Sequence, residues 1–154
     1  MNLAQLNVGY ARHPTDDARM AEFMDNLERI NVLAERSPGF VWRMQSDSGN
    51  ATDISVPGDT DMIANMSVWT DVSSLGHYVF NTVHARFYEK GESWFVPMKQ
   101  PHFVMWHIVE GHIPDIAEAM DRLHHLQANG STEQAFGWDA IDASQWRRCA
   151  TAAE

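Results

Sequence analysis

The chain has 154 residues, 44% of them hydrophobic, which suits one folded domain over 1–154 and excludes a disordered polar chain. Acidic residues outnumber basic ones 21 to 11, a formal charge of −10, and no Lys/Arg cluster offsets it, so no nucleic-acid partner is expected. No apolar run reaches about 18 residues and no basic-then-apolar leader opens the chain, so no membrane partner is expected and the location is read as cytoplasmic.

Residues 3–10, LAQLNVGY, alternate: Ala4, Leu6, Val8 and Tyr10 on one face, Gln5, Asn7 and Gly9 on the other. That pattern predicts a strand. A helix follows Pro14, with Thr15 or Asp16 as its cap and Met20, Phe23, Met24, Leu27, Ile30 and Ala34 at 3.6-residue spacing; Ser37-Pro38-Gly39 ends it. FVWRMQ, 40–45, is the second strand, with Phe40, Trp42 and Met44 on one face. Residues 46–61 form a polar surface loop whose acids lack the order of a calcium loop. MIANMSVW, 62–69, is the third strand, and a helix is expected from about 72 to 90. HFVMWHIV, 102–109, is the fourth strand. A third helix starts near Pro114, where Asp115 and Glu118 have capping-box spacing, and Asn129-Gly130 stops it. AFGWDAI, 135–141, reads as a short strand or an extended tail.

Strand, helix, strand, strand, helix, strand is the ferredoxin-like order: an α+β fold with an antiparallel sheet and helices on one face. One strand face carries Ala4, Leu6, Val8, Phe40, Trp42, Met44, Met66, Val68, Val104, Trp106 and Ile108, apolar enough to lie under those helices. The other carries Gln5, Asn7, Arg43, Gln45, Asn65, Ser67, Trp69, Met105 and His107. That set suits a shielded cleft or a face covered by a second subunit. An inward Arg43 needs an acid of the chain or an anionic ligand.

On the expected helix 72–90, Leu75, Val79, Phe80, Val83 and Phe87 form an apolar arc edged by His77, His84 and Tyr88. His77 and His84 lie about 10.5 Å apart along the axis, too far to share one metal ion. No zinc motif, catalytic triad, P-loop or Gly-rich dinucleotide motif is present, so no metal site is expected. The single Cys149 forms no internal disulfide.

The stretches LAQLNVGY, RMAEFMDNLERINVLAERSPGFVWRMQ, NMSVWTDVSSLGHYVF, HARFYEKGESWFVP and STEQAFGW together resemble the family named domain of unknown function 3291. Through it the chain is similar to the dimeric α+β barrel superfamily, which holds antibiotic-biosynthesis monooxygenases and heme-degrading enzymes. The resemblance implies a homodimer whose two sheets face each other and a small-molecule ligand. It also implies a cofactor-independent monooxygenase acting on an aromatic or polyketide-like substrate. In such chemistry a phenolic substrate becomes a carbanion that itself reduces oxygen, and the protein supplies a base, an oxyanion donor and a dry pocket. His84 or His107 is then the base, and Asn7, Asn65 and Arg43 hold the oxyanion. Ser67, Trp69, His77, Phe80, Tyr88 and Trp94 line the pocket.

Two alternatives stand beside this. Heme-degrading relatives use an Asn on the first strand and a His on the second helix, and Asn7 and His84 occupy similar positions, which would make His84 an axial heme ligand. Tyr78 stands near where those enzymes carry a Trp. The other alternative is a non-catalytic ligand-binding or structural dimer, its polar face closed into a hydrogen-bonded network.

Overall fold

The computed structural model describes residues 1–45, 61–82 and 90–142. Expectations for the loop 46–60, for Val83, His84, Phe87 and Tyr88, and for Cys149 lie outside the described residues. The chain runs β1 (Asn2–Tyr10), α1 (Ala21–Arg36), β2 (Phe40–Arg43), β3 (Met62–Trp69), α2 (Val72–Asn81), a short α3 (Gly91–Trp94), β4 (Phe103–Ile108) and α4 (Ile116–Asn129). The four strands form one sheet, ordered β2-β3-β1-β4, with every pairing antiparallel. This is the ferredoxin-like α+β fold expected from the sequence.

Local chemistry sets the element ends. A 3₁₀ turn, Ala18–Met20, leads into α1, and Asp17 rather than Thr15 or Asp16 caps it by accepting from the Arg19 N–H. Gly39 holds φ +83°, the left-handed turn that swings the chain from α1 into β2. Asp71 caps α2 by accepting from the Ser74 N–H. That helix stops at Asn81, well short of the expected residue 90, because Thr82 turns extended. The Thr82 hydroxyl donates to the Tyr78 carbonyl at 2.5 Å, supplying a partner for a carbonyl of the last turn. Asp115 caps α4 as the spacing predicts, accepting from the Glu118 N–H at 2.8 Å. Phe136 exchanges two backbone hydrogen bonds with Met105, so the 135–141 stretch adds one bridge to the outer edge of β4 and then turns through Trp138–Ala140.

The distribution of helices over the sheet differs from the expected one. α4 packs Ala119, Leu123 and Leu126 on the apolar face, against Ala4, Leu6, Val8, Met66, Val68, Val104, Trp106 and Ile108. α1 and α2 pack Ile30, Ala34, Leu75, Tyr78 and Val79 on the opposite face, against Leu3, Trp69 and Met105. The face that the sequence made polar therefore lies under the two helices of the ferredoxin-like unit, and helices cover both sides. Alternation tells which residues share a face; it does not tell which face a helix takes. β2 holds a second difference. Its pairing with β3 slips between Phe40 and Trp42, so Phe40 lies opposite Trp69 and Trp42 opposite Val68. The irregularity puts Phe40 with the α1/α2 cluster and Trp42 with the α4 cluster, where plain alternation put them on one face.

Candidate functional site

The antiparallel register lays the α1/α2 face out in rows. The first row reads Phe40, Trp69, Leu3, His107; the second Arg43, Ser67, Gln5, Met105; the third Asn65, Asn7, Phe103. Each row is about 7 Å from the next along the strands. The expected site residues Asn7, Arg43, Asn65, Ser67, Trp69 and His107 thus do share one face, but at three depths.

The first row is closed. Trp69 is 0% exposed, stacked on Tyr78 with centroids 5.1 Å apart and edge-on to Phe40 at 5.5 Å. The Tyr78 hydroxyl donates to the Ile30 carbonyl of α1 at 3.2 Å. Burial pushes the Tyr78 phenol well above its ordinary pKa, against a smaller downward pull from the Arg43 charge. Trp69 therefore reaches no ligand directly. His107, at the far end of this row, is exposed with its ring 5.4 Å from Phe136, and stands about 13 Å from the Asn7 row. It is not brought together with Asn7 and Asn65.

The second row is a buried polar network. Gln5 is 5% exposed, and its Nε2 donates to Ser67 Oγ at 2.7 Å and to Asn65 Oδ1 at 3.0 Å. Ser67 Oγ also accepts from the Trp69 indole Nε1 at 2.9 Å. Arg43 has its acid within the chain: its Nε donates to Glu35 Oε1 of α1 at 2.8 Å. Of the two partners the sequence allowed for Arg43, the structure supplies the carboxylate.

The third row is open. Asn7 and Asn65 lie directly opposite each other, and both are exposed. The Asn65 carbonyl is engaged by Gln5, and Asn7 Oδ1 lies 3.4 Å from His102 Nδ1. Both carboxamides thus keep their N–H₂ groups for an outside partner. Phe103, next to Asn7 in the row, stacks on Trp138 at 5.5 Å with rings 8° apart, and Phe80 of α2 meets Trp138 edge-on at 5.0 Å. The row is a pair of amide donors beside an imidazole and an aromatic wall.

Other expected site residues stand apart. Trp94 is 3% exposed and packs with Met20 and Phe23 in a separate cluster, whose Phe95 lies against Gly9, the next position after Asn7 on the same face. His77 sits on α2 with its Nδ1 buried and without a hydrogen-bond partner. His84 and Tyr88 lie outside the described residues. Gln5, His102, Phe103 and Trp138 were not singled out. A Gln between Ala4 and Leu6 on a central strand was the available signal for Gln5, since a buried amide needs partners. His102 opens the expected fourth strand, where alternation puts it on the face of Val104 and not of Asn7, and the structure starts β4 only at Phe103; Trp138 lies in the 135–141 stretch, which the sequence reads as strand or tail.

The heme alternative turns on His84 and Phe87, which lie outside the described residues; of the other residues expected to line its slot, Phe80 packs on Trp138 and Trp94 on Phe23. No group of three or more His, Cys, Asp or Glu side chains gathers for a metal ion among the described residues. No helix among them is long and apolar enough to cross a membrane.

Fold and register define a ferredoxin-like α+β domain with a polar row under two helices. The chain belongs to the family described as Domain of unknown function (DUF3291), which matches residues 2–151. No protein of curated function matches it. Among solved structures it is similar to SnoaB of Streptomyces nogalater, a cofactor-independent oxygenase, at 14% identity and TM-score 0.47, over 74% of this chain and 98% of that one. It is also similar to PA3566 of Pseudomonas aeruginosa, at 15% identity and TM-score 0.47, over 70% and 94%. The NE2512 protein of unknown function from Nitrosomonas europaea matches at 12% identity and TM-score 0.48, over 74% and 95%.

Proposed function

We propose that this chain binds a small molecule bearing a carbonyl or phenolic oxygen at the Asn7–Asn65 row. One observation carries the reading: both Asn carbonyls already have partners, so two adjacent N–H₂ groups face outward as donors. Paired donors of this kind suit an acceptor oxygen, best a negatively charged one. The stacked Phe103 and Trp138 offer a flat apolar surface beside it, suited to an aromatic ligand.

The chemistry we propose for the site is cofactor-independent oxygenation of an aromatic or polyketide-like phenol. His102 is the described imidazole at this row and takes a proton from the substrate. Asn7 and Asn65 hold the resulting oxyanion. The substrate anion reduces dioxygen: a ring CH₂ becomes C=O, one oxygen atom stays on the ring, and the other leaves as water. Oxygen uptake with a panel of polycyclic phenols tests this. Uptake should match quinone formation one to one and fall about 10²-fold in His102→Ala and in Asn65→Ala. Absence of uptake across the panel, or full uptake in both variants, would sink the oxygenase reading.

A second reading, a binding or structural module without turnover, is favoured by the closed first row, where Trp69 is 0% exposed. It predicts ligand binding, or none, and no oxygen uptake above the uncatalysed rate.

A further inference from the structure

Gln5 is a buried polar residue of the sheet, at 5% exposure, next to the exposed row of Asn7 and Asn65. Its two Nε2 hydrogens are both committed, one to Ser67 Oγ at 2.7 Å and one to Asn65 Oδ1 at 3.0 Å. A carboxamide can face either way, offering its carbonyl or its N–H₂. Asn65 alone has no reason to prefer one, because it is exposed and either end can be hydrated. The bond from Gln5 removes that freedom, since only the carbonyl of Asn65 can accept it.

We propose that Gln5 is the positioning residue of the Asn7–Asn65 site, fixing the Asn65 carboxamide with its N–H₂ outward and so making the site select ligands that present an acceptor oxygen. The inference rests on the binding reading above for its consequence, but the orientation itself is a property of the free protein. Ser67 anchors the arrangement from below. Its Oγ takes the second Gln5 hydrogen and the Trp69 indole N–H at 2.9 Å, and Trp69 is locked between Phe40 and Tyr78. The packed first row thus holds Ser67 Oγ in place, and Gln5 bridges it to Asn65 of the exposed third row. A side chain at position 5 that cannot donate twice breaks that chain. Gln5→Met keeps the length and loses both bonds. Gln5→Asn keeps an amide but is one CH₂ too short to span both acceptors. Gln5→Glu can only accept, so Asn65 would turn its N–H₂ inward and its carbonyl outward.

The test uses the full-length protein and two readouts. The first needs no ligand: ¹⁵N relaxation of the Asn65 side-chain N–H₂. Wild type should give a rigid carboxamide despite its exposure, and Gln5→Met a mobile one, with circular dichroism unchanged. If Gln5→Met does not fold, Gln5→Asn serves for the same comparison. Equal rigidity in wild type and variant would overturn the inference. The second readout is the ionisation of p-nitrophenol, followed by absorbance, with p-cresol as the neutral comparison. Wild type should favour the phenolate, and Gln5→Met and Gln5→Glu should lose about tenfold in p-nitrophenolate affinity with little change for p-cresol. Parallel losses for both probes would overturn the selectivity. Wild type that binds neither phenol while showing the rigid-to-mobile change would support the role of Gln5 and count against the binding reading instead.

Discussion

Tyr78 shows how one residue on this face is held. Its ring lies on Trp69 and its hydroxyl donates to the Ile30 carbonyl, tying α2 to α1 across the sheet. Burial raises its pKa, so the folded state keeps the phenol protonated where the unfolded chain, with an ordinary value near 10, releases the proton. The contribution is fully present below about pH 10 and is lost as pH rises toward the folded value. Urea denaturation should give stability that is flat for this group between pH 7 and 9 and declines by pH 11. Tyr78→Phe should remove that part of the decline and cost about 0.5–1.5 kcal/mol at pH 7 for the lost hydrogen bond. A variant with the wild-type slope above pH 10 would contradict the assignment. Arg43 makes a related point about legibility. The sequence required an acid or an anion for it, and the acid is Glu35, on the last turns of α1. The need was readable from residue type; the donor of the carboxylate was not, because it depends on which face α1 covers.

Among elements, the strands were the most legible part. β1, β3 and β4 fall within a residue of the expected spans at each end, because half-buried strands write their burial into period-2 alternation. β2 was less so, since an irregular register reverses the alternation it interrupts. α2 was the least legible. The apolar arc over 75–87 continues in register past Asn81, yet Thr82 ends the helix with its hydroxyl on the Tyr78 carbonyl. Of the expected site, the shared face of Asn7, Asn65, Ser67 and Trp69 was readable by parity. Their depths were not, because burial of one row and exposure of the next is set by where the helices stop. The join between α1, β2 and α2 supplies a sharp test. Gly39 holds φ +83°, its carbonyl accepts from the Thr70 N–H at 2.8 Å, and a Cβ there would meet Ser74 of α2 and stand 2.7 Å from Thr70 Oγ1. Gly39→Ala therefore combines backbone strain with a clash against the first turn of α2. It should destabilise the fold by about 2 kcal/mol or more, read as a lowered urea midpoint at unchanged slope. A loss below about 0.5 kcal/mol would show that this turn relaxes freely.

At the scale of the molecule, the sheet is a shared wall between two differently built cores. α4 closes an apolar core, and its first turn is held by Glu118, whose carboxylate accepts from the Trp106 indole at 3.1 Å and lies 2.7 Å from His112 Nε2. α1 and α2 close the other, which is apolar at the first row, polar at the second and open at the third. Light scattering tests the expected homodimer: it should give twice the 17.5 kDa of one chain, and the mass of one chain would contradict it.

The proposed binding of a small molecule with an acceptor oxygen at the open row is tested most directly by the map of backbone and side-chain amide shifts in ¹⁵N-labelled protein on titration with p-nitrophenolate. The shallow depression lined by His125, Asn129, Thr132, Glu133 and Gln134 shares no lining residue with the row, so the two locations are distinguishable in one spectrum. Saturable shifts should centre on Gln5, Asn7, Asn65, His102 and Phe103 and be lost in the Asn7→Ala/Asn65→Ala double variant. Saturable shifts centred on His125 and Asn129, or shifts at the row that survive the double variant, would contradict it.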